Sequence, residues 1–350
     1  MTLGSAVCKT AVARGWKVTS ISSTGKPWTT PKGHSPPWTS KVSWHAASAF
    51  DPPTYKDLVG PSAAVVHTLG TLLEGARYKS AVKGSTNPFK AVGALLFGGR
   101  DDNPLSISGE ERYRTSYRGL NHHSAIRVLD TYIDALSTHS PELSSSSLGP
   151  RHFVYVSAED IFRPLVPRGY IDSKRDAEAD IALRVEELAS RVTNNKLDLR
   201  ATIVRPGLLY HPHIRPLTTP LATVLQGSVS VHTALLNSRI PVPSPANVLR
   251  ALATFSPNST STQSFAQTPS PFEPLSSVAR ALETSPMHVD HVATAIINSI
   301  ERGQAAQAQT VPTSARFEIL GVKEMRDIIG WPVDGAWSGN EEARTTNHTT

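Results

Sequence analysis

HFVYVS at His152–Ser157, GYIDSKRDAE at 169–178 and IVRPG at 203–207 form one strand–helix–strand unit, and its reading decides the fold. The first is an apolar run ending in serine and reads as a buried strand. The second opens an amphipathic helix over 170–192. The third closes a strand that spans Leu199–Val204. Strand, helix and strand in this order imply a βαβ unit and a parallel sheet.

The same alternation extends toward the N-terminus. AAVVHTL at Ala63–Leu69 is a continuous apolar strand of the parallel-sheet kind. Residues 110–137 read as one long helix with Leu120, Ile126, Leu129 and Ile133 on a common face. A short strand is expected at Val42–His45, and WKVTSI at Trp16–Ile21 reads as a buried strand. Residues 3–15 carry Leu3, Val7, Cys8, Ala11 and Val12 at helical spacing, with Gly15 as the stop. Between the two N-terminal strands lies the Pro/Gly-rich loop TGKPWTTPKGHSPPWTS at 24–40.

The expected architecture is α/β, a Rossmann-like doubly wound parallel sheet with a small, irregular C-terminal region on the substrate side. Residues 1–330 form a single domain, with its core at 3–210 and the substrate-side part at 211–330. Residues 256–275 are low-complexity and are expected to be disordered, as is the polar tail 331–350. DHVATAIINSI at Asp290–Ile300 reads as an amphipathic helix. Residues 217–236 are apolar but interrupted by Pro220 and Gly227. They suit either a helix lying on a membrane surface or one lining a substrate pocket.

Composition narrows the classes. Of 350 residues, 39% are hydrophobic and only 18% charged; the latter is below the roughly 25% of an average globular protein. The net charge of +6 is not gathered into a basic run, so nucleic acid is not an expected partner. Cys8 is the single cysteine, which excludes an internal disulfide and fits a reducing compartment. No secretory signal or uninterrupted membrane-length apolar stretch is present.

A dinucleotide fold opens with a strand, a Gly-rich turn and a helix whose N-terminus faces the pyrophosphate. The sequence begins inside that unit. Gly4 takes the place of the last glycine of the turn, and the strand and first two glycines would precede Met1. The first strand is central in such sheets, so its omission should leave a gap with two unpaired neighbours.

Tyr170 and Lys174 stand four apart at the start of a helix and share one face. An ammonium beside a phenol lowers its pKa from about 10 toward working pH, and a phenol so tuned can act as a general acid to a carbonyl oxygen. Ser157, at the end of the preceding strand, can orient the same oxygen. No metal site is expected. His67, His122 and His123 read as polar positions and lack ligand spacing, and His211 and His213 flank a proline in a loop. His288 and His291 bracket Asp290 at the start of a helix on the substrate side.

FVYVS at 153–157, GYIDSKRDAE, IVRPG and PMHVDHVATAI at 286–296 resemble the extended and atypical short-chain dehydrogenases. SISSTGKP at 20–27, VVHTLGTLLEGARYK at 65–79 and NHHSAIRVLDTY at 121–132 are similar, more narrowly, to the family of fungal mitochondrial accessory proteins of coenzyme Q biosynthesis. That family is related to the nucleotide-binding accessory subunit of respiratory complex I. The resemblance covers most of residues 3–210 and is patchy beyond.

The resemblance implies roles by position. Tyr170 is the acid, Lys174 the cofactor-ribose ligand and Ser157 the serine of an active member. Gly4 is the last fingerprint glycine. Thr68, Leu69 and Gly70 border the nicotinamide ribose, and Pro206 and Gly207 flank the nicotinamide. Ser23 stands where an arginine for a 2′-phosphate is common, and Ser48 where many relatives carry an aspartate beside the adenine. Lys26 can still meet a 2′-phosphate, which leans the cofactor from NAD to NADP. With two fingerprint glycines absent, the chain as it stands should bind a dinucleotide poorly.

Two functions follow from the resemblance. One is an accessory NAD(P)-binding subunit of the mitochondrial coenzyme Q (ubiquinone) biosynthetic complex, on the matrix side of the inner membrane. Its partners would be other coenzyme Q proteins, with peripheral membrane contact. The other is an NAD(P)-dependent oxidoreductase using Ser157, Tyr170 and Lys174 on a carbonyl or alcohol.

Overall fold

The computed structural model describes residues 2–70, 109–143, 150–161, 163, 166–191, 198–211, 218–237, 243–254, 273–308 and 316–331. Helix α1 (Leu3–Ala13) is capped by Thr2, whose side chain accepts from the Ser5 amide. It ends before Gly15, which takes φ +79°, as the stop glycine requires. Strand β1 (Val18–Ser22) pairs in parallel with β2 (Val42–Ala46). After the short α2 (Lys56–Val59), β3 (Ala64–His67) opens a second parallel sheet in the order β3-β4-β5-β8. Here β4 is Arg151–Val156, β5 is Leu199–Val204 and β8 is Phe317–Leu320.

Strand alternation places one core on each face of this sheet. Phe153, Tyr155, Leu199, Ala201 and Ile203 meet Leu129, Tyr132 and Leu136 of α4 (Ser124–Leu143), together with Ala177, Ile181 and Val185 of α5 (Arg168–Arg191). Val154, Val204 and Leu320 meet Ala6, Val7 and Ala11 of α1 and the apolar face of the later helix over 289–308. The result is a three-layer, Rossmann-like arrangement of parallel strands between helices.

Among the described residues the strands fall into separate ladders. β1 pairs with β2 and β3 with β4, but β1 and β3 share no ladder, and no strand joins them among the described residues. Val18 of β1 and Ala64 and Val66 of β3 still pack on the one core that α1 covers. Helix α1 thus lies over both ladders.

The helix expected over 110–137 is divided. Gly109–Thr115 forms α3, Arg118–His123 a π-helical turn, and α4 follows. Gly119 sits in the turn because a Cβ there would collide with the Tyr113 carbonyl. A π turn widens the ladder and frees a carbonyl for tertiary use, something apolar periodicity does not report.

The C-terminal third adds regular elements. β6 (Leu209–Tyr210) pairs with β7 (Met287–His288), beside α6 (Thr218–Asn237), α7 (Pro245–Thr254), α8 (Glu273–Glu283) and α9 (Val289–Ala308). β8 returns to the main sheet and α10 (Val322–Ile328) follows it. Two expectations change. Pro220 and Gly227 do not interrupt α6: Pro220 falls in its first turn, where a missing N–H is harmless, and Gly227 faces open space. Residues 273–275 belong to α8 rather than to a disordered insert, with Pro274 again in a first turn. The remainder of that insert, 256–272, and the tail from 332 onward lie outside the described residues.

Candidate functional site

Ser157, Gly70 and Lys174 gather at the carboxyl ends of β3 and β4. Ser157 follows β4, its amide donating to the Val204 carbonyl at 2.7 Å, and the pairing continues from the Glu159 amide to Pro206 at 2.9 Å. Thr68, Leu69 and Gly70 run exposed out of β3. A Cβ on Gly70 would lie 2.9 Å from both the Lys174 Nζ and the Asn121 Oδ1, so only glycine lets this backbone so close to the lysine. At the start of α1, a Cβ on Gly4 would stand 2.9 Å from the Thr68 Oγ1. The first turn of α1 and the end of β3 are therefore in close apposition.

Lys174 is 3% exposed and donates to the Val156 carbonyl at 2.8 Å, with its ammonium 4.7 Å from the centre of the Tyr155 ring. Burial brings its pKa down to about 7, opposed by the nearby Glu178 carboxylate. Tyr155 donates to the Asn121 carbonyl, freed by the π turn, at 2.5 Å, and the Asn121 side-chain amide donates to Ser173 at 3.1 Å. Ser173 in turn donates to the Tyr170 carbonyl. The π turn thereby locks the start of α5 against the end of β4.

Two sequence expectations are corrected here. Lys174 does not bring the Tyr170 phenol down: burial pushes that phenol up to about 12, and the groups acting on it are Arg175, which opposes the rise, and Tyr117. Tyr117 meets the Tyr170 ring edge-on at 6.2 Å. The i,i+4 spacing put both residues on one helix face, but Lys174 reaches back to β4. Ser157 is likewise engaged, donating to the Glu178 carboxylate. Arg175 donates to the same carboxylate at 2.5 Å, and Arg205 does so through both Nε and Nη2. Glu178 is 5% exposed; a buried carboxylate needs this many donors.

Asn121, Tyr155, Arg175, Glu178 and Arg205 escape the sequence reading. Glu178 carried a signal, since it stands four residues after Lys174 and three after Arg175. Asn121 carried none, because its role depends on the π turn.

The remaining candidates are distributed. Ser23 and Lys26 are exposed in the turn after β1, which Ser22 braces by accepting from the Gly25 amide. Gly25 holds φ +62° there, and its Cα faces the backbone of Ala46. Ser48 is exposed and accepts from the Phe50 amide. Gly207 faces Thr284, Val322 and Ile161 and thus joins the sheet to the C-terminal elements. The histidines are mostly built in: His67 shares a hydrogen bond with Ser124 and His122 with Asp180. No group able to hold a metal ion occurs among the described residues. A groove of about 880 Å³ opens beside the π turn, lined by Lys56, His122, Arg127, Asp130 and Asp180 among others. It contains none of Ser157, Tyr170 or Lys174.

These residues fit parts of a nicotinamide dinucleotide. Lys174 and the glycine backbone beside it suit a ribose at the strand ends, the α1 N-terminus suits phosphate, and Ser23 and Lys26 suit the adenosine end. The parallel sheet and these strand-end contacts define a Rossmann-like α/β fold, and the Ser157–Tyr170–Lys174 spacing resembles that of the atypical short-chain dehydrogenases.

No protein-family model matches the sequence. The chain is 35% identical over 211 residues to MIOREX complex component 2 of Saccharomyces cerevisiae, covering 60% of this chain and 70% of the yeast protein. The chain belongs to the family of that protein. Among solved structures it is similar to a 3-oxoacyl-[acyl-carrier protein] reductase from Brucella melitensis, with 12% identity, TM-score 0.47 and coverage of 92% and 91% of the two chains. A short-chain type dehydrogenase/reductase from Mycobacterium ulcerans gives 13% identity, TM-score 0.44 and coverage of 93% and 86%. A Brucella melitensis reductase solved in complex with NAD gives 13%, TM-score 0.40 and coverage of 66% and 79%.

Proposed function

We propose that the chain is an accessory NAD(P)-binding subunit of the coenzyme Q biosynthetic complex, on the matrix side of the mitochondrial inner membrane, with other proteins of that pathway as partners. The pathway and location rest on the sequence resemblance. The observation that favours an accessory role over turnover is the commitment of the Ser157 hydroxyl to Glu178, which Arg175 and Arg205 hold in place. A serine that donates to a buried carboxylate has no proton to offer a substrate oxygen. The Tyr170 phenol, pushed up to about 12, is a weak acid near neutral pH. The nucleotide then serves structure or regulation. Lys174 holds its ribose, and Lys26 favours a 2′-phosphate and hence NADP.

The oxidoreductase reading is supported by the placement of Ser157 and Lys174 at the strand ends and by the Lys174 pKa near 7. Cells that make only the Tyr170→Phe variant separate the two. An accessory subunit keeps its quinone level. An enzyme loses turnover by roughly 10²-fold or more, the scale of general acid catalysis. Loss of quinone at normal abundance of the folded variant would overturn the accessory role.

A further inference from the structure

We infer that the face of the β1–β2 ladder turned away from α1 docks a single strand of RNA. Residues 1–50 contain six Lys and Arg and no Asp or Glu. The whole net charge of +6 therefore belongs to them, and residues 51–350 balance at 29 of each sign. Lys9 and Arg14 are matched by Asp290 and Glu301 of α9. Lys17, Lys26, Lys32 and Lys41 are exposed, and none pairs with a carboxylate among the described residues.

Lys17 and Lys41 stand 24 positions apart in sequence, so no basic run announces them. Parallel pairing brings them together. Each immediately precedes its strand, and Val18 stands opposite Val42. The two lysines are therefore neighbours on adjacent strands, their backbones about 5 Å apart. Like charges directly opposite each other are unfavourable, and an anion seated between them removes that cost. Strand alternation carries the row onward along one face. Thr19 stands opposite Ser43 and Ile21 opposite His45. Thr19, Ile21 and Ser43 are exposed and His45 is half-buried. The other face belongs to α1: Val18 packs on its core, Val42 is buried and Ser20 hydrogen-bonds Cys8. The loop that joins the strands packs on that same side through Trp28 and Trp38. The face with the lysines is left open, and no helix covers it among the described residues.

The chemistry of this strip selects RNA. Lysine and hydroxyl side chains are groups that hold phosphates. A flat face presenting Ile21 and His45 beyond them meets bases only where these are unpaired. Thr19 and Ser43 stand mid-strip, where each can exchange a hydrogen bond with a 2′-hydroxyl, the group that distinguishes RNA from DNA. Ile21, 37% exposed, is the one large aliphatic side chain on the strip, too little to seat in a bilayer. The lysines stand at the amino ends of their strands, away from Gly70 and Lys174 at the carboxyl ends. The inference is thus independent of the reading of the dinucleotide site.

Fluorescence anisotropy of a labelled oligouridylate of about twelve nucleotides, titrated with the full chain, tests it. The chain should bind this RNA, with affinity falling steeply between about 50 and 200 mM salt. Lys17→Gln with Lys41→Gln should weaken binding by about tenfold, the combined value of two exposed charge contacts. The same pair should lower the salt slope by about 1.4, for two phosphates at about 0.7 each. Lys17→Arg with Lys41→Arg should restore both, which a damaged fold would not. Thr19→Val with Ser43→Ala should bring the RNA affinity down to that of the matching DNA oligonucleotide. Arg316→Gln with Lys323→Gln, exposed and outside residues 1–50, should change nothing. Absence of RNA binding at low salt, or equal affinity of the parent chain for RNA and DNA, would overturn the inference. So would a lysine-to-glutamine pair that binds with the parent's affinity and salt slope. Tighter binding of poly-glutamate than of RNA would overturn it in favour of an acidic protein partner.

Discussion

Glu178→Gln should destabilise the chain by about 2 kcal/mol. Glu178 is 5% exposed and accepts from Ser157, Arg175 and Arg205. Its Oε1 serves Ser157, Arg175 and the Arg205 Nε, and its Oε2 serves the Arg205 Nη2. Glutamine keeps the shape but offers one acceptor oxygen. With that oxygen toward Ser157 and Arg175, the amide NH₂ faces the Arg205 Nη2; with the amide turned, it faces the other donors. Either way a guanidinium meets a donor. A hydrogen bond involving a charged group is worth about 1.5–3 kcal/mol. The Arg175 and Arg205 side chains are 30% and 27% exposed, so water recovers part of the loss. Glu178→Leu removes both acceptors, and breaking a buried pair costs about 3–5 kcal/mol before that same recovery. Urea unfolding followed by far-UV circular dichroism reads both variants, with the midpoint falling and the slope unchanged. A loss under about 0.5 kcal/mol for glutamine, well below the range for charged hydrogen bonds, would refute the reasoning. So would a leucine variant no weaker than the glutamine one.

Acid should unfold the chain partly through two buried imidazoles. Burial, with Lys174 as the nearby positive charge, brings His67 down to about 3, and burial with Arg200 brings His152 down to about 4, from 6.5. Between 6.5 and these values the unfolded chain binds protons that the folded chain refuses, so stability falls as pH drops through that window. His67→Gln with His152→Gln should flatten the dependence of the urea midpoint on pH there; an unchanged slope would count against both assignments. Leu129, 0% exposed in the core between β4, β5, α4 and α5, should cost about 3 kcal/mol when replaced by alanine. An unfolding midpoint within error of the parent chain would show that this core is not packed as described.

The sequence by itself determines the alternation of parallel strands and helices. Apolar runs such as HFVYVS and the helical spacing of residues 3–13 are local patterns, and the pleat and helix pitch translate them directly into elements. Thr2 and Gly15 bound α1 for equally local reasons. Even the separation of β1 from β3 among the described residues is legible, because a dinucleotide fold has a known order of elements. Only the tertiary structure decides what the site side chains do. Spacing places Tyr170 and Lys174 on one face of α5, yet Lys174 turns to the Val156 carbonyl while Tyr170 is buried beside Tyr117. Glu178 meets Arg205 across 27 positions of sequence, and Asn121 meets Tyr155 only through a π turn. β8, four residues long, joins the sheet through its pairing with β5. Local pattern fixes which way a residue points along its own element. Which partner then takes its charge or proton depends on contacts between residues far apart in the chain.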